Sequence, residues 1–173
     1  MSIQSNFSEG EWKSLNATPA LLGLAISAAG NSGIMGSVKE SYASISTIMG
    51  GLTSFPGNEL IQALAPGKQA PEAKDTAMYQ RSVVKEMLAA HEVKTPQQIK
   101  DLAFNQVKSA VTVLDQKYAG QTADEYRAWL TQIANKVAEA SKEGGFLGFG
   151  GTRVSEGEQV CLNELKELLA VSA

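Results

Sequence analysis

Five times along the chain a Ser or Thr is followed three residues later by Glu or Gln: Ser8…Glu11, Ser37…Glu40, Thr95…Gln98, Thr122…Glu125 and Ser155…Glu158. In this pattern the hydroxyl accepts from the amide three residues on. The Glu or Gln reaches back to the amide of the hydroxyl residue, so two donors that a helix start leaves unpaired are satisfied together. Pro96 follows Thr95 at the first helical position, where a missing N–H costs nothing. Phe7 before Ser8 and Trp12 after it form the apolar pair that staples a helix entry. A chain punctuated in this way is constrained to be a set of capped helices.

The apolar residues between these starts recur at spacings of three and four. Ile99, Leu102, Ala103, Val107, Ala110, Val111, Leu114 and Tyr118 form one stripe, ended by Gly120. Tyr126, Trp129, Leu130, Ile133, Val137 and Ala140 form a second, ended by Gly144. Further stripes are Met78, Val84, Met87, Leu88 and His91; Val38, Tyr42, Ile45 and Met49, closed by Gly50-Gly51; and Cys161, Leu165, Leu168 and Leu169. Amphipathic helices sharing one core give this pattern. Residues 20–29 are apolar almost all round and predict a central, buried helix, which Pro19 either starts or kinks away from residues 9–17. A short helix is expected near 57–65, and 66–74 reads as an exposed connection within one unit. No segment reads as a strand. The expectation is an all-α fold: a single globular domain over 1–173 with six to eight helices.

Composition sets the remaining bounds. At 173 residues, 43% hydrophobic and only 6% aromatic, the chain has enough material for one core of close-packed helices. The net charge is −3 and the basic residues are scattered, which argues against nucleic acid as a partner. No positive and apolar leader opens the sequence and no run is long enough to span a bilayer, so a soluble, cytoplasmic protein is expected. The lone Cys161 excludes an intramolecular disulfide and, lying on an apolar stripe, reads as a small buried hydrophobe.

The most unusual segment is the run in which Gly144, Gly145, Gly148, Gly150 and Gly151 surround Phe146, Leu147 and Phe149, followed by Thr152, Arg153 and the cap at Ser155. Phenylalanines left in water lose hydrophobic free energy, so this loop either folds onto its own domain or is offered to a partner. Phe146, Leu147, Phe149 and Arg153 are therefore the candidate interface residues. Insertion of the same apolar tip into a membrane is the weaker alternative, because no basic cluster flanks it. Amides at the helix start with the Arg153 guanidinium form a candidate anion site. The chain lacks a Gly-x-x-x-x-Gly-Lys-Ser/Thr motif, however, and no strand precedes the loop. Glu139 and Glu143, one helical turn apart, with Glu156 form a candidate site for a divalent metal, against the alternative of a solvated acidic face. His91 reads as a helix-terminal residue rather than a base, since no nucleophile or orienting carboxylate is legible around it. Gly33-Ile34-Met35-Gly36-Ser37-Val38-Lys39-Glu40 partly echoes the later glycine loop and its cap. A pseudo-twofold pair of helical halves, or chance in a chain rich in Gly, Ser and Ala, produces such an echo.

The run from Trp129-Leu130 through Lys136-Val137-Ala138-Glu139-Ala140 and Gly144-Gly145-Phe146-Leu147-Gly148-Phe149-Gly150-Gly151-Thr152-Arg153-Val154-Ser155-Glu156 resembles a group of uncharacterised bacterial helical proteins. So does the N-terminal Phe7-Ser8-x-x-Glu11-Trp12 with Ala17-Thr18-Pro19, Ala25 and Ala28-Ala29. More remotely, the order helix, Ala-Ala, loop, Val-Ser-x-x-Glu, helix is similar to the tellurite-resistance TerB-like domains. That resemblance implies an all-α fold of two related halves, acidic metal sites and a link to stress responses. Where those domains carry an Ala-Asp-Gly turn, this chain has Ala29-Gly30-Asn31 and Lys142-Glu143-Gly144. The functional expectation is a non-catalytic cytoplasmic interaction or stress-associated domain without a cofactor. Its 144–153 loop contacts a protein partner, self-association being the simplest case. The alternative is a TerB-like metal- or anion-binding domain centred on 139–158. An enzyme whose site is assembled from distant residues is a third reading.

Overall fold

The computed structural model describes residues 2–30, 54–67, 70–143 and 154–170, with side chains of the third segment described to residue 140. The 33–40 echo, the Ser37…Glu40 cap, the Val38–Met49 stripe and the 144–153 loop lie outside the described residues. Within them the chain is all-α, with a short 3-10 turn at Ile3–Asn6 and six α-helices. These are α1 (Glu9–Gly30), α2 (Glu59–Leu64), α3 (Ala73–Ala90), α4 (Pro96–Lys117), α5 (Gln121–Glu143) and α6 (Glu156–Ala170). No strand occurs among the described residues.

Helix α1 starts where the capping pattern places it. The Ser8 amide donates to Glu11 Oε2 at 2.7 Å and the Glu11 amide to Ser8 Oγ at 3.3 Å. The Phe7 and Trp12 rings meet with centroids 5.9 Å apart, completing the staple. Residues Leu15 to Ile26 are all buried, so α1 is the axial helix of the domain. It packs against α3, α4, α5 and α6, which sheathe it and give its apolar run somewhere to go on every side.

Pro19 neither starts the helix nor breaks it. It lies inside a continuous α1, although an interior proline costs about 3 kcal/mol through its missing N–H and a clash one turn back. The carbonyl deprived of its donor is that of Leu15, and the hydroxyl of fully buried Tyr126 on α5 donates to it at 3.3 Å. Neighbouring carbonyls carry extra donors: Asn16 Nδ2 to Trp12 O and Thr18 Oγ1 to Ser14 O, both at 2.8 Å. Burial pushes the Tyr126 phenol well above its usual range, so it holds its proton and remains a donor.

Helix α4 follows its stripe closely. Thr95 and Gln98 cap each other, and all seven stripe residues from Ile99 to Leu114 are buried. The next start departs from expectation. The Asp124 amide donates to Gly120 O at 3.0 Å, so α5 begins at Gln121, two residues before the Thr122…Glu125 pattern would start it, and that cap does not form. Gly120 stands at φ +97°, a conformation that a side chain disfavours, and it reverses the chain directly from α4 into α5. Thr122 is left inside the first turn, and its carbonyl and Glu125 accept from Asn58 Nδ2 instead. On α5 the residues from Tyr126 to Val137 of the predicted stripe are buried while Ala140 is exposed.

Helix α3 corrects the expected stripe. Its buried positions are Gln80, Val83 and Val84, whereas Met78 is 54% exposed. Gln80 Nε2 donates to Leu64 O at 2.6 Å, capping the C-terminus of α2. That polar duty turns Gln80 inward, and Met78, two residues or about 200° away around the helix, faces outward. His91 caps the end of α3 and is exposed. Of the predicted 66–74 connection, Pro66 is buried, Gly67, Pro71, Glu72 and Lys74 are exposed, and α3 begins at Ala73.

Candidate functional site

The predicted interface residues Phe146, Leu147, Phe149 and Arg153 lie outside the described residues, but the helix that follows them is well defined. Ser155 and Glu158 close the expected cap. The Ser155 amide and hydroxyl both donate to Glu158 Oε2 at 2.9 Å, and the Glu158 amide returns to Ser155 Oγ at 3.3 Å. Glu158 is only 2% exposed, because the end of α1 covers it. A Cβ placed on Gly30 would stand 2.6 Å from Glu158 Oε1, and one on Gly157 would stand 2.4 Å from the Ala29 carbonyl oxygen. Two glycines thus let the last turn of α1 press against the first turn of α6, where the carbonyl pole of one helix meets the amide pole of the other. Val154, immediately after the loop, packs against the core.

The acidic set is dispersed in its duties. Glu139 is exposed and pairs with Lys136 at 2.9 Å, one turn earlier. That contact raises the Lys136 ammonium above its usual range, first through the hydrogen bond and then through the opposite charge. Glu156 is exposed on the first turn of α6, and the side chain of Glu143 lies outside the described residues. Among the described residues no three His, Cys, Asp or Glu side chains gather as they must to hold a metal ion. Cys161 is buried as expected, and burial pushes its thiol up to about 11, which leaves it protonated and unreactive at neutral pH. Lys100 approaches Glu164 at 2.6 Å and ties α4 to α6 beside it. No described helix is long and apolar enough to cross a membrane.

Sequence reasoning passes over a second region. Ser2, Gln4 and Ser5 of the 3-10 turn, Phe7 to Glu9, Trp12 and Tyr79 of α3 line an open groove of about 470 Å³. Phe7 is wedged between Trp12 and Tyr118, the latter stacked at 5.6 Å. Lys117 Nζ sits 5.5 Å from the Phe7 centroid, donates to Asn6 O at 3.0 Å and pairs with Glu11 at 2.8 Å. The hydrogen bond from Lys117, then that from the Ser8 amide, holds the Glu11 carboxyl below the usual carboxylate range. Burial raises the Tyr79 phenol, against the opposing pull of Lys13. The one signal in the sequence was the Phe7–Trp12 staple. Nothing in it placed Tyr79 opposite, because the two walls are separated by most of α1 and all of α2.

Comparison with protein-family models, with curated proteins and with solved structures finds no match to this chain.

Proposed function

We infer that the domain acts by contact: a non-catalytic, cytoplasmic interaction or stress-associated module that presents Phe146, Leu147, Phe149 and Arg153 to a protein partner, the simplest partner being a second copy. The observation that carries this reading is the clasp between α1 and α6. A loop serves recognition best when its base is held rigidly, and the Ser155–Glu158 cap with the Gly157–Ala29 approach fixes the point where the 144–153 segment rejoins the fold. The cap also occupies the amide of Glu158 with the chain's own hydroxyl, which reduces what α6 offers to a free anion and favours a protein contact.

The test is Phe146→Ser combined with Phe149→Ser, followed by native mass spectrometry and far-ultraviolet circular dichroism. The expected outcome is loss of the assembled species with the helical signal retained. An unchanged mass distribution, or a loss of helical signal, overturns the reading; the latter makes the loop part of the core, where removing an aromatic costs about 3–5 kcal/mol. A TerB-like divalent-metal site using Glu139, Glu143 and Glu156 is the second reading. Both described members are exposed at the two ends of the loop's frame. Titration with manganese, and with the Glu139→Gln and Glu143→Gln variant, decides it: no heat in the parent chain ends it.

A further inference from the structure

The outer side of α3 uses none of the residues of the 144–153 loop. Its inward side is Gln80, Val83 and Val84, resting on α1 and on the end of α2. The line opposite Gln80 is therefore the centre of the outer side, where Asp75, Met78, Ser82, Lys85 and Ala89 are all exposed. Met78, 54% exposed, is the most exposed large apolar side chain among the described residues. Asp75 and Lys85 carry opposite charges, and neither forms an ion pair among the described residues.

These positions are mirrored about residue 80. At 3.6 residues per turn, Met78 and Ser82 stand about 20° to either side of the outer line, and Asp75 and Lys85 about 40°. Asp75 lies about 7.5 Å before residue 80 along the helix and Lys85 the same distance after it. A twofold axis along the outer line at residue 80 sets a second α3 antiparallel on the first. It brings Asp75 of each copy opposite Lys85 of the other and lays Met78 beside Ser82. The same operation sets Lys74 opposite Glu86, but Glu86 already lies 3.7 Å from Lys13, so the register rests on Asp75 and Lys85. Burial alone places the axis, and the charges then match. Moving the axis to residue 82 sets Asp75 opposite Ala89 and Met78 opposite Glu86, and the match is lost.

We propose that the outer side of α3 is a homodimer interface, two copies crossing antiparallel over Met78 and Ser82 with an Asp75–Lys85 pair on either side. A helix of 18 residues is about 27 Å long. One such face on another falls at the small end of specific interfaces, so the dimer is weak and depends on concentration. The experiment is sedimentation velocity of the full chain up to millimolar concentration, with circular dichroism to confirm the helices. Asp75→Lys alone sets lysine against lysine in both pairs, and Lys85→Glu alone sets acid against acid. Each is expected to weaken dimerisation about tenfold, since two exposed pairs turn from attraction to repulsion. An equal mixture of the two variants is expected to dimerise again, because both pairs between unlike copies are attractive. The doubly exchanged chain, Asp75→Lys with Lys85→Glu, is expected to recover by itself. The loop is the same in all of these samples, so association through it does not differ among them. Phe146→Ser with Phe149→Ser is expected to remove only the species built through the loop and to keep this dimer. A parent that stays monomeric throughout, single variants that associate as the parent does, or a mixture no more associated than its components each overturns the proposal.

Discussion

Helix α1 meets its neighbours in two opposite ways. Near its middle it carries a defect, Pro19, and α5 repairs it by supplying a hydroxyl from Tyr126 to the carbonyl left without a donor. At its end it carries an opportunity, the absence of side chains at Gly30 and Gly157, and α6 uses it to come within contact of the backbone itself. The first contact is chemical and tolerates distance. The second is steric, and even one methyl group is too many. Sequence patterns register apolar faces, but neither of these contacts depends on an apolar face.

These contacts differ in what their loss costs the fold. Leu22, fully buried on α1 between the two places, sets the scale. Leu22→Ala should lower unfolding free energy by about 2–5 kcal/mol in urea titration, the usual loss for an emptied core leucine. Gly157→Ala should cost about 1–3 kcal/mol, because the Ala29 carbonyl must move to admit the methyl. A cost below that of an ordinary helix-surface change would remove the steric account. Tyr126→Phe should cost about 1–2 kcal/mol by leaving Leu15 O unpartnered. The repair account further requires that this loss shrink in the background of Pro19→Ala, where the backbone amide returns. Caps give the next step down. Thr95→Ala should cost about 1 kcal/mol, and Thr122→Ala much less, since Thr122 caps nothing.

The smallest effect is a pH dependence. Glu11 is held below its unfolded value by Lys117 and Ser8, so it contributes stability above the unfolded carboxylate range, near pH 4. That contribution is lost as pH falls through the lowered folded value. The melting temperature of Glu11→Gln should therefore lie below the parent's at pH 6 and converge on it toward pH 3. Parallel curves would show that the Lys117 contact carries no linkage.

Much of the fold was written in the sequence where one rule acted alone. Helix α4 has a cap, a proline in the permitted place and an unbroken apolar period, and these agree with its burial. Prediction failed where a polar residue took an interior place for a tertiary reason. Gln80 turned inward to cap α2 and displaced Met78, and Gly120, reversing the chain, started α5 before Thr122 could. The clasp was half legible: Ser155 and Glu158 announced their cap, but the reason for Gly157 lies in Ala29, far away in sequence. The groove was the least legible, since its aromatic walls become neighbours only when α3 packs on α1.

The axial position of α1 has a consequence during synthesis. Its buried run from Leu15 to Ile26 leaves the ribosome before any helix that covers it. The last cover to arrive is α6, whose first turn holds the end of α1. Until then the end of α1 is open to other chains, and exposed apolar surface is the condition under which nascent proteins aggregate or are taken up by chaperones. Among the described helices the one made first is thus completed last, and a chain cut short before α6 leaves the ribosome with the end of α1 uncovered.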